Sequence, residues 1–349
     1  MRCFLGAYSA LLLLRFLLVL SPGYLHPDEY FQSFEPAASL VLNVHTQPAW
    51  EWAPATASSH LIRSWLVPML SCALPMRLVA ALVSTSGLDL PSIDGAVLLW
   101  ATRLWMCTLS LAQDACLVGV CRAYAWPVRS ALLCFASCWP TLVFSSRPFS
   151  NTLESIALAL ALLVATRGMR APPGARAGRD ALLGALLAAG CMCRFTFVFF
   201  WLPLLALPLF GSAPATTLAA AARAAAARGP WLLMGALPAA AAVLLLDCWL
   251  HGGECRGAPW RCVAPLNALL YNLDPTNLAR HGLHSRASQH GQTRPPGSAR
   301  ARHLRLVTGR PVALGGSALA GRETKPLGAP PPPRVLELAA STVADSFAF

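Results

Sequence analysis

The segment Tyr24-Leu25-His26-Pro27-Asp28-Glu29-Tyr30-Phe31-Gln32 sets a histidine and two adjacent carboxylates a few residues beyond the end of a long apolar run. A carboxylate in that position can act as general base toward a hydroxyl arriving at a membrane surface. The bland alternative is a solvated loop in which Pro27 opens a helix. A second polar cluster, Ser145-Ser146-Arg147-Pro148-Phe149-Ser150-Asn151-Thr152, joins two apolar runs with almost no linker. Arg147 offers a planar fork of donors suited to a phosphate, or else snorkels from a helix end. Glu154, one turn further on, can pair with Arg147 or face a cavity. Arg194, in Cys193-Arg194-Phe195-Thr196, fits either an outer phosphate contact or a helix cap.

Two further groups carry polar chemistry. Arg103 and Asp114 lie eleven residues apart in one apolar run, close to three helical turns, and so share one helix face without touching. Pairing with other helices is the plain reading of both, and lining a substrate cavity is the alternative. The stretch Asn277-Leu278-Ala279-Arg280-His281-Gly282-Leu283-His284 concentrates Asn, Arg and two His. His281 and His284 have a spacing that a metal could use on a helix, but Gly282 weakens the helix and no third ligand is near. Hydrogen bonding to substrate, or a structural role, suits them better.

Several chemistries lack their signatures. The chain has no Gly-x-x-x-x-Gly-Lys-Ser/Thr loop, Gly-x-Gly-x-x-Gly element or Gly-x-Ser-x-Gly elbow. It also lacks an Asp-x-Asp pair, which disfavours a metal-held nucleotide sugar. No Cys-x-x-Cys or zinc-like spacing occurs among the 12 cysteines, most of which sit in apolar runs as small hydrophobes. Cys255 and Cys262 share one polar loop, where a disulfide would need an oxidising compartment.

These residues must be positioned by membrane helices. The chain is 56% hydrophobic and only 12% charged, with a mean hydropathy of +0.54, a composition that belongs in a bilayer. Runs long enough to cross the hydrocarbon occur at 4–22, 95–120, 130–146, 150–166, 181–210 and 230–250, and 181–210 is long enough for a paired or broken span, 181–193 and 195–210. The expected fold is therefore an all-α polytopic membrane protein of about seven spans. A net charge of +12 suggests nucleic acid until its distribution is read. Nine basic residues against three acidic ones follow His284, and most of the rest lie in short connections at 122–129, 167–179 and 223–228. With Arg2 in the cytosol, all three connections thread to the inside, as the positive-inside rule requires, and 23–94 falls outside. Leu61–Val83 is apolar but interrupted by Arg63, Pro68, Pro75 and Arg77. Counting it as a span would invert every later loop, so it is read as an amphipathic or re-entrant element at the interface. Residues 286–349, rich in Pro, Arg, Ala and Gly, lack a spanning run and are expected to form a disordered tail.

His26-Pro27-Asp28-Glu29 after the first span resembles the first-loop signature of the dolichyl-phosphate-mannose-dependent α-mannosyltransferases of the GT-C class. Tyr24 to Gln32, Arg147 to Glu154 and Pro265 to His284 together look like the branch that adds a fourth mannose to GPI precursors. The resemblance runs from about Leu11 to Arg286. It implies a GT-C-like helical bundle in the endoplasmic reticulum membrane with its first loop luminal. It also implies transfer of an α1,2-linked mannose from the lipid-linked donor to the third mannose of a GPI glycolipid. A β-linked donor and an α product imply inversion in one displacement, with one base, no cofactor and no metal. Asp28 is then the expected base, with Glu29 and His26 shaping the site. Arg147, Asn151, Arg194, Arg280, His281 and His284 are the expected contacts to lipid phosphate or acceptor. Another family member acting in GPI or N-glycan precursor assembly is the nearest alternative. An inactive truncated membrane protein and a transporter are the alternatives of other classes. A transporter would show internal repeats, and none is visible. The family has further spans after His284, where this chain runs into its tail, so an aberrant C-terminus is a further expectation.

Overall fold

A computed structural model of the chain describes residues 2–52, 61–86, 94–169, 172–210, 218–251 and 259–280. Every regular element among them is helical. Helix α1 (Arg2–Leu17) leads through a short 3-10 turn into the first loop, which contains a π-turn at Glu29–Phe34 and α2 (Glu35–Leu42). Helices α3 (Leu66–Pro68) and α4 (Leu74–Thr85) join through a second π-turn into one rod, Leu66–Thr85. There follow α5 (Gly95–Tyr124), α6 (Val128–Ser137), α7 (Ser150–Met169), α8 (Pro173–Cys193), α9 (Val198–Phe210), α10 (Leu218–His251) and α11 (Ala264–Leu273).

Local chemistry sets several boundaries. The Asp94 carboxylate accepts from the Ala96 N–H at 2.9 Å and starts α5. At its other end Ala125 adopts a left-handed φ of 56°, and the Trp126 N–H reaches the Cys121 carbonyl at 2.9 Å, closing the helix in a Schellman-like turn. The apolar run 130–146 does not form one helix. Pro140 has no N–H to continue the ladder, and Cys138 is extended, so α6 stops at Ser137 and a π-turn, Pro140–Phe144, follows. Five stretches are long and apolar enough to cross a membrane: Arg2–Leu20, Leu66–Thr85, Gly95–Tyr124, Ser150–Met169 and Ala225–His251. Val128–Ser137 and Phe195–Leu205 are apolar but shorter. α8 is long enough, yet it carries Arg176, Arg179 and Asp180 in its first half.

The rod Leu66–Thr85 is continuous, because its prolines enter at helix starts and π-turns rather than breaking it. Its neighbours run in reverse order along α5. Val67 packs with Met106, Trp105 Nε1 donates to the Leu70 carbonyl at 2.8 Å, and Met76 packs with Leu98. The rod thus lies antiparallel to the first part of α5 and leads away from its middle.

Polar contacts gather at the two ends of the bundle. At one end Arg147 meets Ser21 and Gly23, Arg194 meets Ser150, and Asp247 accepts from Ser64 Oγ at 3.1 Å and the Trp65 N–H at 2.7 Å. At the other, Arg179 donates to the Arg167 carbonyl at 2.6 Å and Arg228 Nε to Asp180 Oδ2 at 2.9 Å. Midway, Arg15 of α1 and Asp114 of α5 form a buried pair at 3.1 Å, joined by the Tyr8 hydroxyl at 3.0 Å. A second unit begins at Asp274. In it α12 (Pro275–Arg280) is capped by Asp274, whose carboxylate accepts from the Thr276 N–H at 2.9 Å. Cys262 is disulfide-bonded; Cys255, His281, His284 and the tail from 286 lie outside the described residues.

The tightest helix packing is between α8 and α10, where two glycines face each other's backbones. A Cβ on Gly184 would overlap the Leu232 carbonyl, and one on Gly235 would overlap the Ala181 carbonyl. Small residues at such crossings let helices approach closely where water expulsion cannot drive them together. Gly184→Val and Gly235→Val should each force the helices apart, costing about 1–3 kcal/mol by analogy with overpacked cores. The thermal midpoint of the detergent-solubilised protein measures this; an unchanged midpoint in both variants would contradict the packing.

Candidate active site

The first loop is fixed from below by one carboxylate. Glu29 begins the π-turn and is fully buried. Its Oε1 accepts from Arg103 Nε at 2.8 Å and from Arg147 Nη1 at 3.2 Å; Oε2 lies 3.3 Å from the same Arg147 nitrogen. The terminal nitrogens of both guanidiniums also reach back to the loop, while Arg147 Nε is buried without a partner. Arg103 reaches the carbonyls of Ser21 at 2.7 Å and Gly23 at 2.5 Å. Arg147 reaches the Gly23 carbonyl at 3.1 Å and Ser21 Oγ at 2.6 Å. Gly23 has a φ of 75°, which lets the chain turn so that its carbonyl faces both arginines. Burial pulls the Arg147 guanidinium below its ordinary pKa, Glu29 opposes that shift and Arg103 adds to it. Beside this cluster Tyr30 is wedged between Tyr24 and Phe34, with ring centroids 5.5 and 5.7 Å away, and burial raises its phenol.

With Glu29 held inward, its neighbour points the other way. The Asp28 side chain is 43% exposed and that of His26 is 64% exposed. His26 Nδ1 accepts from the Asp28 N–H at 3.3 Å and stands 3.3 Å from Asp28 Oδ1. The two therefore form an accessible carboxylate and imidazole on a backbone that the buried cluster immobilises.

One helical turn after Asp28, Gln32 and Ser33 line a cavity of about 330 Å³. Its other walls include Glu51, Trp52, Arg63 and Arg194. Arg194 sits in extended backbone just past the end of α8. Its guanidinium pairs with Glu154 Oε2 at 3.3 Å, donates to Ser150 Oγ at 3.2 Å and touches Asn151 Oδ1. The Thr196 hydroxyl donates to Glu154 Oε1 at 3.2 Å, tying the far side of that carboxylate to the same corner. On the opposite wall Arg63 Nη2 meets Glu51 Oε1 at 2.7 Å. Trp52 donates from Nε1 to the Gln32 carbonyl at 3.2 Å and packs on Trp65 at 4.9 Å.

The residues singled out in the sequence thus separate into groups. Glu29 and Arg147 are brought together as a buried ion cluster, and Arg103 joins them. Asp28 and His26 stay at the surface of the same loop. Arg194 and Asn151 meet at the cavity rim, with Glu154 paired to Arg194 rather than to Arg147. Arg280 lies on α12, in the separate unit. Glu51 and Arg63 did not stand out in the sequence as site residues. The visible signal was an acid between two tryptophans, Trp50-Glu51-Trp52, in an outer loop.

Residues 6–288 match the Alg9-like mannosyltransferase family. The chain is 36% identical over 293 residues to human GPI alpha-1,2-mannosyltransferase 4, covering 80% of this chain and 48% of that protein. It is 28% identical to GPI mannosyltransferase 4 of Emericella nidulans, covering 79% of this chain and 48% of the relative. The Candida albicans protein of the same name is 27% identical, with 79% and 54% covered. The chain therefore spans about half the length of these curated relatives. No solved structure matches it.

The geometry separates a structural carboxylate from an accessible one. Removing one partner of a buried ion cluster costs about 3–5 kcal/mol, since the others are left uncompensated. Glu29→Ala should therefore lower the thermal midpoint markedly and open the first loop to proteolysis. Asp28→Asn should do neither. Limited proteolysis with thermal unfolding of both variants reads the contrast, and equal behaviour would refute it.

Proposed function

The chain belongs to the Alg9-like mannosyltransferase family, and from that premise we propose that it is the site-bearing portion of an α1,2-mannosyltransferase acting on GPI precursors. The donor is dolichyl-phosphate-mannose and the acceptor is the third mannose of a GPI glycolipid. The human relative's name specifies GPI and an alpha-1,2 linkage, which supports that choice. The first loop faces the lumen of the endoplasmic reticulum, and the basic end of the bundle, with Arg167, Arg179 and Arg228, faces the cytosol.

The observation that carries the reading is the division of labour between two adjacent acids. Glu29 is consumed by two arginines, which leaves Asp28 as an accessible carboxylate on a rigid loop. In the reaction the acceptor 2-hydroxyl oxygen attacks C1 of the donor mannose from the face opposite the phosphate. The new C1–O bond forms as the C1–O bond to phosphate breaks, and its electron pair leaves on dolichyl phosphate. Asp28 takes the hydroxyl proton, and one displacement inverts the anomeric centre without a covalent intermediate or a metal ion. His26, in contact with Asp28, orients that carboxylate. The guanidinium of Arg194 meets the lipid phosphate, and Arg147 acts indirectly by holding the loop. Two buried arginines against one carboxylate leave excess positive charge beneath the loop, which favours approach of an anionic lipid.

Complementation of cells lacking the fourth GPI mannose tests this. The wild-type chain should restore the four-mannose glycolipid, and Asp28→Ala should reduce its formation by about 100-fold or more, the scale of a general base. Equal restoration by both would remove Asp28 from the mechanism. No restoration by the wild type would remove the proposed activity from this chain.

A further inference from the structure

Among the described acids at this end of the bundle, Glu51 and Asp247 each keep a buried oxygen without a partner, and of the two it is Glu51 that lines the cavity. Its side chain is 13% exposed and Oε1 is engaged by Arg63 at 2.7 Å. Oε2 is buried and has no hydrogen-bond partner, although the residue lines the cavity beside Gln32, Trp52, Arg63 and Arg194. A buried carboxylate oxygen without a donor costs stability, and native proteins keep few of them. Because Glu51 lines the cavity, a donor on a ligand bound there, met by a small turn of the carboxylate, is the natural partner for that oxygen. The volume of about 330 Å³ falls at the small end of the range for small-molecule sites, roughly 300–1,000 Å³.

The walls narrow the ligand class. Carboxylate, guanidinium and amide groups alternate with apolar side chains such as Ile62, Val67, Met192 and Phe195, a mixed lining that suits a ligand bearing both hydroxyls and C–H faces. Trp52 adds an aromatic surface against which the C–H face of a pyranose packs, and the indole is held by its bond to the Gln32 carbonyl and by Trp65. A prenyl chain would leave Glu51 Oε2 without a donor.

We propose that this cavity is a hexopyranose subsite in which Glu51 Oε2 accepts a hydrogen bond from a sugar hydroxyl, with Arg63 fixing the carboxylate by its other oxygen. The proposal rests on the mannosyltransferase reading only for the identity of the hexose as mannose. Gln32, one turn along the loop from Asp28, lines the subsite together with Glu51. Glu51 is a binding residue here, distinct from the base.

The test is a binding experiment on the full chain in detergent, independent of turnover. Two probes distinguish the origin of the sugar: methyl α-mannoside stands for the acceptor, and a short-chain prenyl-phosphate mannose for the donor. The wild type should bind at least one of them by saturation-transfer NMR and calorimetry. Glu51→Gln keeps an oxygen for Arg63, and Glu51→Asp keeps the charge but retracts it. Each should weaken binding of that probe by about tenfold or more, the scale of one charge-assisted hydrogen bond, with the helical content of the variant retained. Should the variants fail to fold, carbodiimide labelling of wild-type Glu51 replaces them: protection by the bound sugar supports the subsite. Wild-type binding of neither probe, wild-type affinity in both variants, or labelling unaffected by sugar each overturns it. Sugar binding without mannose transfer would sink the proposed activity and leave the subsite standing; transfer with Glu51 indifferent to sugar would do the reverse.

Discussion

The constraint on which this end of the molecule depends is that Glu29, buried without water, must be neutralised by protein. Arg103 comes from α5 and Arg147 from the junction between α6 and α7. One carboxylate therefore fastens the first loop to two separate parts of the bundle. Because the same arginines also take up the carbonyls of Ser21 and Gly23, the turn leaving α1 is fixed as well. The conformation of residues 21–34 follows from satisfying these charges. Asp28 projects outward because its neighbour cannot.

The same logic recurs through the bundle. Arg15 with Asp114 joins α1 to α5, and Arg228 with Asp180 joins α10 to α8. Asp247 ties α10 to the start of the rod through Ser64 and the Trp65 amide. In hydrocarbon, apolar side chains gain little from meeting each other rather than lipid, so such pairs and the close glycine crossing of α8 with α10 select helix partners. Each pair also removes one acid from the candidates for chemistry. Among the described residues, Asp28 keeps an accessible carboxylate at the surface and Glu51, beside the cavity, keeps an unpartnered oxygen.

Much of this was legible in the sequence and some was not. Apolar length gave several of the helices, though not one across 130–146, where Pro140 intervenes, and composition gave the membrane, because those depend on local stretches. The break after Cys193 was visible in a polar Arg194 amid apolar residues. The pairing of Arg103 and Asp114 to other helices followed from the cost of a lone intramembrane charge, yet the partners, Glu29 and Arg15, are 74 and 99 residues away. Spacing cannot carry information across that distance. Arg147 illustrates the same limit: its type suits a phosphate, and only tertiary contact shows its fork already occupied. The rod Leu66–Thr85 eluded its prolines' usual meaning because π-turns absorbed them. Glu51 was passed over for the opposite reason. An acid between tryptophans in a loop looks like an interfacial anchor until Arg63 and the cavity appear around it.

Two acids with different surroundings suit the two demands that a sugar transfer makes on one face of a protein. A proton acceptor must be reached by a hydroxyl and must relinquish its proton afterward, which requires access, and Asp28 has it. A sugar-holding group must keep its geometry through the reaction, which requires burial and a fixed partner, and Glu51 has both through Arg63. Exchanging the two environments would suit neither role, because a buried base would be closed to the incoming acceptor and an exposed clamp would surrender its hydrogen bond to water. Glu29 completes the arrangement by holding the segment that carries Asp28 and Gln32 in one orientation.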